Sequence, residues 1–309
     1  MRLALLGATS QIAKDFVRNI EQETNWTLGL FSRRPNAVEQ WLKRSPLAPP
    51  SFVGDFAEFA RTKQPYDVIL NFVGSGNPAR TERVCATIID VTHDFDELAL
   101  QYLRRNPDCR YIFFSSGAVY GGGYKSPVDD QTASLIPINQ LGAQDWYGIS
   151  KIYAEARHRA LSDLSIVDLR VFNYFSYSAD IEARFLVTDV LRAIRDRQVL
   201  QTSHENIVRD YVGPHEISQL IQRVLSAPPT NVAIDCYTKS PVDKLSMLKR
   251  MQSEFDLKFE LVERQTGLLA TGAKWNYYST SKKAEKLFGY APKDDSMDVI
   301  LKQSRLILR

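Results

Sequence analysis

Three cysteines in 309 residues, Cys85, Cys109 and Cys236, are too few and too widely spaced for a disulfide framework or a zinc site. They fit a reduced, cytoplasmic protein. The four histidines, His93, His158, His204 and His215, share no metal-ligand spacing, so surface or capping roles are expected and no metal. No apolar run approaches the ~18–20 residues that span a bilayer, which argues against a membrane protein. Leu3-Ala4-Leu5-Leu6 runs straight into a glycine turn and reads as a first strand, not as a secretory leader. An excess of one charge is also lacking. Thirty-nine Lys+Arg against 36 Asp+Glu leave +3, too even to argue for nucleic acid or an anionic membrane as partner. Internal repeats and low-complexity tracts are absent. With 44% hydrophobic and 24% charged residues, the chain has a globular composition and length enough for about two domains.

Short apolar runs alternate with helical patterns through residue 171. Strands are expected at Leu3–Leu6, Thr27–Phe31, Ser51–Val53, Val68–Val73, Tyr111–Ser115 and Ser165–Val171. Helices are expected near Gln11–Ile20, Ala37–Lys43, Ala57–Lys63, Arg83–Arg104 and Ala143–Leu161. This rhythm argues for an α/β fold, a doubly wound parallel sheet with helices on both faces. Ligands in such folds bind beyond the carboxyl ends of the strands. From residue 172 the rhythm breaks. Helical patterns near Glu182–Arg197, His215–Leu225 and Val242–Phe255, with strands near Val232–Asp235 and Lys258–Val262, suggest a smaller α+β C-terminal domain over 172–309. A segment at about 206–230 is expected to return to the first domain, 1–171. The Ala-Pro-Pro stretches at 48–50 and 227–229 read as turns.

Gly7-Ala8-Thr9-Ser10-Gln11-Ile12-Ala13 follows the first strand and opens the first helix. A small-residue turn there lets backbone approach a dinucleotide pyrophosphate, which then rests on the helix N-terminus. Gly7 serves the tight turn, Ser10 caps the helix and offers a hydroxyl, and Ala13 permits close packing, although Ser and Ala replace two glycines of the full fingerprint. After the second strand, where an acid would bond the ribose of NAD, stand Ser32, Arg33 and Arg34. Arginine there suits the 2′-phosphate of NADP; the alternative is a solvated basic loop. Asp55, after the third strand, either bonds the adenine or caps the next helix.

Phe113-Phe114-Ser115-Ser116-Gly117 ends an apolar strand. Tyr147 and Lys151 follow at helical spacing, so both lie on one helix face. A phenol has a pKa of about 10, and a neighbouring ammonium lowers it, so the two form a plausible acid–base pair. A second such pair, Tyr278–Lys282, has no serine-ended strand before it and reads as a surface turn or helix start. The aromatic run Phe172, Tyr174, Phe175 and Tyr177 is expected in the core or, alternatively, against a nucleobase. Arg192, Arg195 and Arg197 are expected on a solvated helix face.

Seven segments in order resemble the extended short-chain dehydrogenase/reductases, most of which act on nucleotide sugars. These are Gly7-Ala8-Thr9-Ser10, Asn71-Phe72-Val73-Gly74, Ser115 through Gly121, Tyr147 with Lys151, Leu169-Arg170-Val171-Phe172-Asn173, Arg209-Asp210-Tyr211-Val212, and Ser281-Lys282-Lys283-Ala284 through Pro292. The resemblance implies a Rossmann-type first domain that binds NAD or NADP through Gly7, Thr9, Ser10, Gln11, Ile12, Ser32, Arg33, Arg34, Asp55, Phe72, Val73 and Gly74. It implies catalysis by Ser116, Tyr147 and Lys151. Ser116 holds the substrate oxygen, Tyr147 moves the proton, and Lys151 also holds the nicotinamide ribose. It places Asn173 and Arg209 at the nucleoside diphosphate and suggests a homodimer through a four-helix bundle of the helices near 83–104 and 143–161. The family's dehydratases carry Asp-Glu where this chain has Gly117-Ala118, so dehydration is not expected. The arginines favour an NADP-dependent 4-keto reductase of a nucleoside-diphosphate sugar. An NAD-dependent epimerase and a non-catalytic dinucleotide sensor or scaffold are the alternatives.

Overall fold

The structure is a computed structural model that describes residues 1–20, 26–43, 52–74, 87–263 and 274–308. The expected turn at 48–50, Cys85 and the start of the helix expected from Arg83 lie outside these residues. In chain order the first layer comprises β1 (Arg2–Leu6), α1 (Gln11–Asn19), β2 (Thr27–Phe31), α2 (Pro35–Lys43), β3 (Phe52–Gly54), α3 (Phe56–Arg61), β4 (Val68–Asn71), α4 (Thr87–Arg105), β5 (Arg110–Ser116), α5 (Trp146–Ala160) and β6 (Ile166–Val171). Later come β7 (Asn173–Tyr174), α6 (Leu186–Arg195), β8 (Val199–Ser203), β9 (Val208–Arg209), β10 (Tyr211–Val212), α7 (Pro214–Ser226) and β11 (Val232–Asp235). Then follow β12 (Val242–Asp243), α8 (Lys244–Phe255), β13 (Lys258–Val262), β14 (Asn276–Tyr277), α9 (Lys283–Phe288) and α10 (Ser296–Ile307).

Seven strands form one parallel sheet in the order β11-β6-β5-β4-β1-β2-β3. This is the doubly wound Rossmann-type order, with the reversal between β1 and β4. Side chains alternate across it. Leu3, Leu5, Val68, Leu70, Ile112 and Phe114 face one core with α1, α2, α7 and α9, whereas Ala4, Leu6, Ile69, Tyr111 and Phe113 face another with α3, α4 and α5. The chain returns to the sheet through α7 and β11, where Ala233 lies beside Asp168. Of the stretch at about 206–230, α7 packs on the sheet and leads into β11, whereas β9 and β10 pair within small sheets. A third core joins α6, α8 and α10 through Val190, Leu191, Met247, Met251 and Ile300. Small sheets, β10-β7, β12-β9-β14 and β13-β8, complete this smaller layer.

No helix among the described residues is long and apolar enough to cross a membrane. Cys109 and Cys236 are free and buried. His158 departs from the surface or capping role expected of it, being fully buried between Asp96 and Asp168. Arg192 turns inward to the carbonyls of Ile181 and Ala183, so the solvated face expected for it is confined to its neighbours.

Candidate active site

The strand order reverses between β1 and β4, paired neighbours that lead into the Gly7 turn and into Phe72-Val73-Gly74. Gly7 has φ +81°, and a Cβ there would stand 2.9 Å from the Val73 nitrogen and 3.0 Å from the Phe72 carbonyl carbon. The turn therefore demands glycine twice, by its dihedral and by the backbone opposite. Its amide donates to the Phe31 carbonyl at 2.9 Å. Ser10 caps α1 by accepting from the Ala13 amide at 3.2 Å, and no acid occupies the first turn. A helix N-terminus behind an open glycine turn fits a dinucleotide pyrophosphate. Gly7→Ala should cost about 1–3 kcal/mol of stability and remove any thermal stabilisation by cofactor. A melt with and without dinucleotide checks both.

The other expected cofactor residues take varied places. Thr9 and Ile12 are half-buried in the loop and first turn, and Gln11 donates to the Ser176 hydroxyl at 2.8 Å. Asp55 caps α3, its carboxylate accepting from the Glu58 amide at 2.8 Å, which is the capping alternative. Phe72 points into the core, its ring 4.3 Å from that of Phe114, and its backbone lies against Gly7. Val73 is held by Asn71, whose Oδ1 accepts its amide at 3.0 Å. Gly74 faces α5: a Cβ there would lie 3.8 Å from Lys151 Nζ. At the end of β2, Ser32 is buried, while Arg33 and Arg34 are exposed. Burial, then Arg18, and further Arg34 hold the Lys14 ammonium below its ordinary range, against Asp15. Lys14, Arg18 and Arg34 thus form one cationic rim beside the glycine turn.

Strand alternation sorts the two serines at the end of β5. Ser115 faces α5 and donates to Glu155 at 2.6 Å. Ser116 faces the opposite side, where its hydroxyl accepts from the Ala118 amide at 3.2 Å and lies 3.4 Å from the Tyr277 hydroxyl. The buried stripe of α5 is Ser150, Lys151, Ala154, Glu155 and His158, and Tyr147 stands one turn before Lys151 at its open end. Lys151 Nζ donates to the Phe114 carbonyl at 2.9 Å and lies 4.3 Å from the Phe113 ring centroid and 5.8 Å from that of Tyr147. Burial lowers the Lys151 ammonium to about 8, against the pull of Asp96, Asp168 and Glu155. Burial raises the Tyr147 phenol, and the Ser116 hydroxyl draws it down. Lys151 is directed at the Phe114 carbonyl here, with the Tyr147 ring next to it.

Behind these groups runs a polar chain. Arg170 grips Glu155 through Nε at 3.0 Å and donates to Tyr120 at 2.7 Å, and Tyr120 reaches Asp235 at 2.9 Å. The arginine of the Leu-Arg-x-x-Asn motif thus ties β6 to α5 and β11. Asn173 Nδ2 donates to the Asp210 carbonyl at 3.0 Å, and Arg209 is buried with Nη1 on the Val208 carbonyl at 2.8 Å. Phe172 and Phe175 are buried, while Tyr177 is partly exposed against Arg18. Lys282 occupies the residue just before α9, with no side-chain cap, which is the helix start expected for the second Tyr–Lys pair.

Tyr277 was not marked by any motif. It belongs to β14, which pairs with β9, and the strip after it is zipped to the loop after β5, the Val128 amide reaching the Tyr278 carbonyl at 3.1 Å. Only the aromatic doublet before the C-terminal signature hinted at it.

Comparison with known proteins agrees with this geometry. The chain is similar to the UDP-glucose-4-epimerase of Stenotrophomonas maltophila with bound NAD and formylated UDP-arabinopyranose, at 16% identity and a TM-score of 0.79, over 99% of this chain and 98% of that one. It is similar to UDP-glucose 4-epimerase with UDP-glucose from Thermotoga maritima, at 16% identity and a TM-score of 0.78, over 99% and 98%. The dTDP-glucose 4,6-dehydratase of Bacillus anthracis in complex with NAD matches at 15% identity and a TM-score of 0.76, over 99% and 96%. No curated protein matches in sequence. At these identities the structural likeness shows the fold, and the family follows from the sequence model of the NAD dependent epimerase/dehydratase family, which matches residues 3–234, more than half of the chain. The chain belongs to that family, the extended short-chain dehydrogenase/reductases.

Proposed function

We propose that the protein is an NADP-dependent oxidoreductase of the 4-keto reductase type, acting on a nucleoside-diphosphate sugar. The observation that carries the cofactor choice is the rim at the end of β2: Arg33 and Arg34 exposed, Lys14 and Arg18 nearby, and no carboxylate following the strand. A 2′-phosphate meets several donors there, where a bare ribose would lack its acid.

Gly7, Thr9, Ser10, Gln11, Ile12, Ser32, Arg33, Arg34 and the backbone of Phe72, Val73 and Gly74 would hold the dinucleotide, with Lys151 at the nicotinamide ribose. When bound, the nicotinamide supplies hydride. The chain's own groups do the rest. Ser116 and Tyr147 hydrogen-bond the substrate oxygen, and Tyr147 Oη delivers its proton. Arg209 and Asn173 lie on β9 and β7, and we place them at the diphosphate. The sheet with its helices, 1–171 and the returning segment, serves the cofactor, and the smaller layer over 172–309 serves the substrate. A homodimer would form through α4 and α5, whose outer face shows Tyr153, 41% exposed. The free buried cysteines suit the cytoplasm and its NADPH pool.

A second reading, NAD-dependent epimerisation, is favoured by the NAD in the solved relatives. A fluorescence titration with NADPH and NADH, after identifying any co-purified cofactor, separates the two. The expected result is a preference for NADPH of about tenfold or more, or about 1.4 kcal/mol. Preference for NADH, or NAD already bound, would turn the assignment to the epimerase.

A further inference from the structure

Three hydroxyls converge on one buried carboxylate where the chain leaves the sheet. Asp15, the fifth residue of α1, is fully buried. Its Oδ2 accepts from the Tyr174 hydroxyl at 2.8 Å, from Ser176 at 2.6 Å and from Ser178 at 2.7 Å. Its Oδ1 has no hydrogen-bond partner among the described residues, and the Arg18 guanidinium lies 3.6 Å from it. Gln11 stands one turn before Asp15 on the same face of α1 and donates to the Ser176 hydroxyl at 2.8 Å. The three hydroxyls come from alternate residues of one segment, which begins in β7.

This segment is the crossing between the two layers. Tyr174 packs against the first core, with α1, and the next residue, Phe175, belongs to the third core, with α6, α8 and α10. Among the described residues β7 pairs with β10 alone, so one edge of it is held by a neighbouring strand. Side chains alternate along a strand, so Asn173 projects opposite to Tyr174, and its Nδ2 donates to the Asp210 carbonyl at 3.0 Å. Fastening alone needs no carboxylate, because apolar groups of the same shape would serve about as well. What the carboxylate adds is register. Its charge makes bonds from hydroxyls roughly twice as strong as a neutral acceptor would, and its two oxygens offer about four lone-pair sites. Burial, then Asp15, holds the Tyr174 phenol well above its ordinary range, so it keeps the proton it donates.

We propose that Asp15 is a positioning residue for the substrate: through Tyr174, Ser176 and Ser178 it fixes the register of β7 on α1 and so places Asn173 against the substrate diphosphate. The proposal rests on the nucleotide-sugar reading above, and it adds a residue that no motif marks. Asp15 lies past the first turn of α1, whose amides would meet a pyrophosphate of the dinucleotide. Its effect therefore falls on the substrate and not on the cofactor.

The test is calorimetric titration of the full chain, saturated with whichever nicotinamide cofactor it takes up, with UDP and with inorganic pyrophosphate. Asp15→Asn should bind both probes about tenfold more weakly, while its cofactor affinity stays unchanged and reports an intact fold. Asn173→Ala should also lose about tenfold, and the double variant no more than either alone, because both act through one contact. Independent roles would instead multiply to about a hundredfold. Tyr174→Phe removes one donor and keeps the ring in the first core. It should lose about threefold, and its cycle with Asn173→Ala decides the matter if Asp15→Asn fails to fold. If Asp15→Asn binds both probes as tightly as the unmodified protein, or if the losses multiply, the positioning role is refuted and the nucleotide-sugar reading stands. If the unmodified protein binds neither probe, that reading fails and the positioning role falls with it.

Discussion

Tyr147→Phe should lower turnover by about a thousandfold, within the 10²–10⁴ that positioned proton transfer contributes, while cofactor affinity stays unchanged. The phenol stands at the open end of the buried stripe of α5, beside Ser116 and one turn from Lys151. The substitution removes one hydroxyl and keeps the ring, so the helix and the Lys151 contact with the Phe114 carbonyl persist. A second phenol shares the site, since the Tyr277 hydroxyl lies 3.4 Å from Ser116. Tyr277→Phe is therefore the matched control: it should retain at least about a tenth of the turnover, because its loss is one hydrogen bond worth about 0.5–1.5 kcal/mol. Steady-state rates of both variants decide the roles. Full activity in Tyr147→Phe together with a dead Tyr277→Phe would reverse them.

The second large effect falls on stability. His158 is fully buried, with Nδ1 2.6 Å from Asp168 and Nε2 2.7 Å from Asp96. Both ring nitrogens face carboxylates, and only the imidazolium can donate to both. Arg157 reaches Asp96 at 3.1 Å and Arg159 reaches Asp168 at 2.7 Å, so the array is charge-paired with His158 at its centre. His158→Leu leaves two carboxylates without their shared partner and should cost about 3–5 kcal/mol, read from the denaturant midpoint at pH 7. Against the burial that disfavours charge, Asp168 and Asp96 hold the imidazolium up to about 9, from an ordinary 6.5. Between those values the folded chain binds one more proton than the unfolded chain. The stabilisation is thus complete below pH 6.5 and is lost as pH rises through 9. A denaturant midpoint that stays level from pH 7 to 9.5 would sink this account.

The sheet was legible because its strands are buried on both faces and read as apolar runs; Thr27–Phe31 and Val232–Asp235 match the structure residue for residue. The two-residue strands β7, β9, β10, β12 and β14 were not, since pairs of residues carry no period. The Ser116 and Tyr147 neighbourhood was legible because each sits beside a strand end or helix start that the pattern marks. Tyr277 was hidden, for it meets Ser116 across 161 residues of sequence, and no local spacing records such a contact. His158 was misjudged for a related reason. Its partners Asp96 and Asp168 come from α4 and β6, and a lone histidine on a helix shows neither.

The wide separation of Ser116 and Tyr277 also orders events during synthesis. The glycine turn, the β4 turn and Lys151 are all present once β6 has left the ribosome, whereas Tyr277 emerges more than a hundred residues later. The glycine turn precedes the strand that brings Tyr277 to Ser116, so a nascent chain passes through an interval in which it has the turn but not that contact. Translation arrest in that interval would yield a chain that carries the glycine turn, Ser116, Tyr147 and Lys151 but not Tyr277.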